Sequence, residues 1–279
     1  MKYLFIIFFV ILFVIYVLYQ PSTKIAEDFK DFSNYKLNTL NKDIYNGFYA
    51  KNYDALFSNL KNLDTEISNI IHYTIKEDET FKKKDIKILD IGCGTGGHLK
   101  LLGKYNINCI GLDDSNEMLK EARERDTYTK LVKGDFHKKK SFKLREFSHI
   151  LCLFTTIYYS NSLKTLLNNV NFWLKPGGFF CVHLIDDPPL VKPYKKKTPS
   201  FLYISNWKKE NQYTVFEETF LFKNKKKFIK NRHGLKLYKT KYYLDLIKDT
   251  GFEIYKKIDL PINRFGKNYI FIFKKKYGA

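Results

Sequence analysis

Three aspartates and a run of glycines are the residues whose types and spacing best suit chemistry. Asp90 precedes Gly92, Gly94, Gly96 and Gly97 in DIGCGTGG, at the end of an apolar run and the start of a helical pattern. Glycines in such a turn let backbone N–H groups approach a ligand closely, and the helix that follows adds its positive end. Gly92, Gly94 and Gly97 satisfy Gly-x-Gly-x-x-Gly, a fingerprint shared by several nucleotide-binding families. Asp90 narrows the choice, because a carboxylate two residues before the first glycine attracts an ammonium group and repels a pyrophosphate. Asp113 ends the apolar run NCIGLD, where an acid accepts from both hydroxyls of a ribose. Asp135, in KGDF, suits the amino group of a base, with Phe136 packing beside it. Asp114 or Ser115 is expected to cap the following helix.

For these side chains to share one site they must stand at the tips of neighbouring strands. IKILDIG (86–92), NCIGLD (108–113), TKLVKGD (129–135), HILCLF (149–154) and GFFCVHLID (178–186) read as five strands. LKLLGKY, SNEMLKEARER and SLKTLLNNVNFWL between them carry helical periodicity. Such alternation implies right-handed crossovers and a doubly wound, mostly parallel α/β sheet with ligands at the carboxyl ends of its strands. YYLDLIKDTGFEIYKKI and NYIFIFKKK add a helix and two late strands, for a seven-stranded Rossmann-like sheet. YTVFEETFLF and HGLKLYK alternate like antiparallel strands joined across NKKK, and are expected to form a cap on the substrate side. The expected organisation is an anchor (1–22), a helical linker and cofactor lid (23–80), the α/β core (81–186), the cap insertion (187–240) and closing elements (241–279).

Residues 3–19, YLFIIFFVILFVIYVLY, carry no charge and are long enough for a single membrane-spanning helix, stopped by Pro21. Lys24, Lys30, Lys36 and Lys42 follow it, which by the positive-inside tendency places the large body in the cytosol. The net charge is +20, yet Arg occurs only at 123, 125, 145, 232 and 264. Scarcity of the planar, bidentate residue disfavours a nucleic-acid partner without removing it. Cys93, Cys109, Cys152 and Cys181 fall in or beside the expected strands and read as small core residues, not metal ligands. No Asn-x-Ser/Thr site occurs, in keeping with a cytosol-facing body.

ILDIGCGTGGHLKLL, CIGLDDSNEMLKEA, LVKGDF and LKPGGFF together resemble the successive motifs of class I S-adenosylmethionine-dependent methyltransferases, particularly the type 11 and type 25 groups, over about residues 45–186. The resemblance implies S-adenosylmethionine as cofactor, with Gly92, Gly94 and Gly96 at its methionine moiety, Asp113 at the ribose and Asp135 at the adenine. It also implies that Asp114 and Met118 flank the adenine, and that IYNGFYAKNYDALF is a closing helix with Tyr45, Tyr49 and Tyr53 as contacts. There are departures. The fourth strand opens Phe147-Ser148-His149 in place of Phe-Asp, and Asp187-Pro188-Pro189-Leu190 lacks the aromatic residue of the amino-methylating nucleic-acid subclasses. A sulfonium is already an activated methyl donor, so no acid or base is obligatory. Should the acceptor need to lose a proton, Tyr158, Tyr159, His183, Asp186 and His233 are candidates, against plainer roles as pocket lining, satisfied core and a solvated turn. The expected activity is methyl transfer to an unidentified small-molecule, lipid or protein acceptor at a membrane surface. A catalytically silent membrane-bound module and an RNA methyltransferase are the alternatives.

Overall fold

In chain order the backbone forms strand β1 (Asn34–Asn38), helices α1 (Asn41–Ile44), α2 (Gly47–Phe57) and α3 (Leu60–Ile71), then β2 (Lys87–Ile91), α4 (Gly97–Lys104), β3 (Asn108–Asp113), α5 (Asn116–Arg125), β4 (Lys130–Lys133), β5 (Phe147–Cys152), α6 (Leu163–Trp173) and β6 (Leu174–Ile185). Strands β7 (Tyr194–Lys197), β8 (Phe201–Glu210), β9 (Tyr213–Phe222) and β10 (Lys227–Leu235) follow, and α7 (Thr240–Asp249), β11 (Phe252–Asn263) and β12 (Gly266–Lys275) close the chain. This computed structural model describes residues 34–38, 41–57, 60–125, 130–186, 193–210, 213–223, 227–263 and 265–278. The expected span at 3–19 and the motif Asp187-Pro188-Pro189-Leu190 lie outside the described residues. Among the described residues no helix is long and apolar enough to cross a membrane.

The core sheet has seven strands in the order β11-β12-β6-β5-β2-β3-β4. β2, β3, β4, β5 and β6 pair in parallel, while β12 returns antiparallel against β6 and β11 against β12. All six residues of β5 and four of the five in β2 are buried, which is why these strands read as mostly apolar runs instead of alternating ones. Helices cover both faces. Trp173 of α6 is fully buried with Phe147, Phe180 and Phe273 in one apolar cluster, and its Nε1 donates to the Lys139 carbonyl at 2.9 Å. Ile67 and Ile70 of α3 and Leu102 of α4 cluster with Ile88 and Ile272 in the other. At about 1.5–3 kcal/mol for each such buried side chain, the two clusters hold the strand tips in register. Chain order reverses at β2, which has β3 on one side and β5 on the other, so the crevice at its carboxyl end is the sheet's switch point. Cys93, Cys109, Cys152 and Cys181 are all buried free thiols.

The cap is larger than its sequence pattern implies. Five strands in the order β1-β10-β9-β8-β7 make a second sheet, antiparallel except where β1 lies parallel to β10. Residues 34–38, expected within a helical linker, are therefore a strand; a five-residue stretch is too short for its spacing to separate period 2 from period 3.6. The strand expected over 233–239 runs instead over 227–235, paired with β9 from Lys227 opposite Phe222 to Leu235 opposite Thr214. Its inward face reads Ile229, Asn231, His233, Leu235, and two polar residues on that face hid the alternation.

Candidate functional site

Asp90 sits in β2 opposite Gly111 of β3 and Leu151 of β5, at the switch point itself. Its side chain is 1% exposed, and Oδ2 has no hydrogen-bond partner. Burial raises its pKa from 3.8 to about 6; the nearby His98 opposes that rise and Asp113 adds to it. His98 is itself bound to Glu66, with Nε2 3.0 Å from Oε2. Burial works against the charged imidazole there, but the Glu66 hydrogen bond and charge outweigh it and raise the pKa of His98. The turn after Asp90 is left-handed at Gly92, Gly94 and Gly96, with φ of 67°, 57° and 77°. At Gly92 a Cβ would stand 2.5 Å from the Thr156 methyl, so backbone, and nothing larger, forms that wall. The result is a narrow crevice of about 50 Å³ bounded by Asp90, Gly92, Gly94, Thr95, His98 and Phe154.

Asp113, at the tip of β3, is tied to this turn. Its Oδ2 accepts from Gly94 N–H at 2.9 Å and its Oδ1 from Ser115 N–H at 2.8 Å. Burial raises its pKa as well, against those two hydrogen bonds. Ser115 caps α5, its Oγ accepting from Met118 N–H at 3.2 Å, and donates to the Tyr45 carbonyl. α2 closes over the crevice from outside. The Thr95 hydroxyl donates to Asp54 at 2.7 Å, and Asp54 also pairs with Arg125 of α5, so one carboxylate fastens the lid to the glycine turn and to the next helix.

A second cavity, of about 20 Å³, shares Tyr53, Phe57 and Phe154 with the crevice and continues between lid and cap. Phe154 holds φ of 53°, a conformation rare for a bulky residue, at the junction of the two spaces. Tyr159 and His233 stand on the far wall. The Tyr159 hydroxyl lies 2.7 Å from His233 Nδ1, and His233 Nε2 lies 2.8 Å from Oε2 of Glu218, whose other oxygen accepts from Tyr203 at 2.6 Å. A larger hollow of about 340 Å³ beside Tyr158, Lys236 and Tyr242 shares no wall with the crevice.

Residues 88–178, the segment carrying the switch point and glycine turn, match the model of a family described as a methyltransferase domain. An uncharacterized protein of Methanocaldococcus jannaschii is 31% identical over 209 residues, 74% of this chain and 73% of that one. The chain belongs to the S-adenosylmethionine-dependent methyltransferases. A dTDP-3-amino-3,4,6-trideoxy-alpha-D-glucopyranose N,N-dimethyltransferase of Streptomyces venezuelae is 34% identical over 99 residues, 34% of this chain and 40% of that one. The chain thus spans less than half the length of that curated relative. The S-adenosylmethionine-bound amino pentose methyltransferase CalS10 of Micromonospora echinaspora has the same fold, at a TM-score of 0.64 and 18% identity over 82% of this chain and 97% of that one.

Of the residues the sequence singled out in this methyltransferase, Asp90, Gly92, Gly94 and Tyr53 border the crevice, and Gly96 caps α4 one turn on. Met118 lies beneath the turn, its methyl 3.3 Å from where a Gly94 Cβ would be, whereas Asp114 is exposed. Asp135 stands past β4, its Oδ1 accepting from His137 N–H at 2.8 Å and lying 2.7 Å from His137 Nδ1; Phe136 packs partly buried on the core. Tyr158 does not reach the crevice or the aromatic cavity: its hydroxyl accepts from Ile185 N–H at 2.8 Å and fixes the end of β6. His183 is a core residue bonded to Asn268 at 3.1 Å, and Asp186 accepts from Tyr269 and Thr240. His233, expected in a solvated turn, is 1% exposed within β10. The sequence reading passed over Asp54, although it lies within the expected closing helix IYNGFYAKNYDALF, and Glu218, an acid in an ordinary alternating stretch with no motif around it.

Proposed function

We propose that this methyltransferase transfers a methyl group from S-adenosylmethionine to a small-molecule or lipid acceptor whose reacting end enters the aromatic cavity, at a membrane surface on the cytosolic side. The observation that carries the reading is Asp90, a buried carboxylate with an unpartnered oxygen facing a crevice that shares three walls with the aromatic cavity. The crevice fits the cofactor in chemistry. The orphan carboxylate suits the ammonium of its methionine end, and at Gly92 the wall is bare backbone. S-adenosylmethionine supplies an electrophilic methyl group on a sulfonium. Gly92, Gly94 and Gly96 line the methionine end, and Asp113 meets the ribose hydroxyls with lone pairs left over from Gly94 and Ser115. Met118 and Asp114 flank the base, and Asp135 with Phe136 bounds its far edge. Tyr53 closes the outer wall, and the rings of Phe57 and Phe154 exclude water from the junction. Residues 3–19 anchor the chain, and the acceptor meets the site from the membrane surface.

Calorimetry on the full chain in detergent tests the cofactor site: micromolar binding of S-adenosylhomocysteine is expected and none of NAD. An Asp113→Ala variant that bound equally well would refute the ribose role. Radiolabelled methyl transfer into separated small-molecule, lipid, protein and RNA fractions reads the acceptor class, and label confined to protein or to RNA would refute the proposal. Loss of residues 1–22 is expected to move the chain from the membrane to the soluble fraction.

A further inference from the structure

We propose that Tyr159, His233 and Glu218 form a proton relay that takes the N–H or O–H proton from the methyl acceptor as the new bond forms. The inference rests on the acceptor occupying the aromatic cavity. Three separate parts of the fold meet in this line. Tyr159 follows β5 in the core, His233 and Glu218 face each other across β10 and β9 in the cap, and Tyr45 comes from the lid and donates its hydroxyl to Tyr159. The order of donors is fixed from its far end. Glu218 is 0% exposed, its Oε1 accepts from Tyr203 and its Oε2 from Asn231 Nδ2, and a carboxylate oxygen can only accept, so Oε2 takes the hydrogen bond from His233 Nε2–H. That leaves Nδ1 of a neutral imidazole as the acceptor for the Tyr159 hydroxyl.

The cavity in front of Tyr159 holds about 20 Å³, room for one water-sized group, so only the reacting end of an acceptor enters. Burial raises the Tyr159 pKa far above that of a free phenol, with Glu218 adding to it and the Tyr45 hydrogen bond opposing it. A lasting phenolate is therefore costly, and transfer through Tyr159 has to be concerted. As the acceptor's proton moves to the Tyr159 oxygen, the Tyr159 proton moves to Nδ1, and the imidazolium so formed is balanced by Glu218. The lone pair freed on the acceptor forms the bond to the methyl carbon, while the electrons of the broken carbon–sulfur bond remain on sulfur. The charged and titratable groups facing His233 are Tyr159 from the core, Tyr45 and Tyr49 from the lid and Glu218 from the cap. A pair whose task was only to pack the cap would need no third member from the core opening on a cavity.

The relay is tested without any acceptor, by nitrogen–proton correlation NMR of the imidazole of His233 in the full chain, assigned with His233→Gln. The expected result is a neutral ring protonated at Nε2 and bare at Nδ1. Glu218→Gln, which takes the negative charge away from the far end of the line, should shift the Nε2 resonance of His233. Tyr159→Phe, which leaves the His233–Glu218 pair in place, should shift the Nδ1 resonance and is the readout if Glu218→Gln does not fold. A ring protonated at Nδ1, an Nε2 resonance indifferent to Glu218→Gln, or an Nδ1 resonance indifferent to Tyr159→Phe would overturn the relay. Calorimetry with S-adenosylhomocysteine on the same samples separates the readings: tight binding with a failed relay leaves the methyltransferase reading standing, and no binding removes the reading on which the relay rests.

Discussion

Asp90 gives the most quantitative handle on the cofactor site. Its folded pKa of about 6 lies above the ordinary 3.8, so between those values the folded protein holds a proton that the unfolded chain has released. The contribution of Asp90 to the stability of the ligand-free protein is therefore fully present below about pH 4, falls as pH rises towards 6, and is flat beyond. At about 1.4 kcal/mol for each tenfold change in proton affinity, the full loss is on the order of 3 kcal/mol. A ligand ammonium that pairs with this carboxylate must first find it ionised. At pH 5 roughly one molecule in eleven is so, at pH 7 about ten in eleven are; S-adenosylhomocysteine should thus bind about tenfold more weakly at pH 5 than at pH 7, and its binding near pH 6 should release about half a proton per ligand. His98, Asp113 and the Glu66 behind His98 are the other charges around the site; for Glu66 and His98 burial is outweighed by the other's hydrogen bond and charge, which lowers the pKa of Glu66 and raises that of His98. Calorimetry in buffers of different ionisation enthalpy at pH 5, 6 and 7 measures affinity and proton release together. Asp90→Asn should weaken binding by about 10- to 100-fold, the worth of a charge-assisted hydrogen bond, and abolish the slope. Wild-type affinity constant within twofold over that range, or an Asp90→Asn variant that kept the slope, would show that no ammonium meets Asp90.

Gly92→Ala should destabilise the fold by about 1–3 kcal/mol in urea melts and weaken S-adenosylhomocysteine binding more than tenfold, because its φ of 67° is left-handed and a Cβ would press on Thr156. Asp54→Ala releases both Thr95 and Arg125 from the lid; binding several-fold weaker and faster proteolytic cleavage within 41–57 are expected, and unchanged cleavage would mean that other contacts hold α2. Tyr158→Phe strands the Ile185 N–H in the interior and should cost about 1–3 kcal/mol in stability, while methyl transfer at a temperature where it stays folded is expected at the parent's rate; a rate loss there would return Tyr158 to the chemistry.

Much of the core was legible because one physical cause wrote its signal. Strands buried on both faces must be apolar throughout, and β2, β3 and β6 stand out in the sequence for that reason, as do the helices whose one-sided apolar stripes cover them. The glycine turn was equally plain, since only glycine fits the left-handed positions beside Thr156. A motif, however, places a residue on the chain and not in a network. Asp113, at the tip of β3, was expected to accept from a ribose, and the motif did not reveal the two backbone N–H groups that it also accepts from. Asp135 was grouped with it by strand order and by resemblance, and the motif did not reveal that past the short edge strand β4 its carboxylate also meets His137.

The cap was harder to read for the reason that makes it interesting. A strand that buries Asn231 and His233 breaks the apolar alternation by which strands are recognised, and such a strand is stable only if partners elsewhere satisfy those groups. Its partners are Glu218 on β9 and Tyr159 after β5, 13 to 74 residues away in sequence, a distance no local pattern spans. The polar face that hid β10 from sequence reasoning is thus the face that closes the aromatic cavity. With the acceptor in the aromatic cavity, as proposed, its specificity would reside in the second sheet and the lid: exchanging residues on the cap side of the cavity, such as Trp207 or Phe216, should change which acceptor is methylated while leaving S-adenosylhomocysteine affinity within about twofold. An exchange that altered cofactor affinity as strongly as acceptor choice would show that the two cavities do not divide the work.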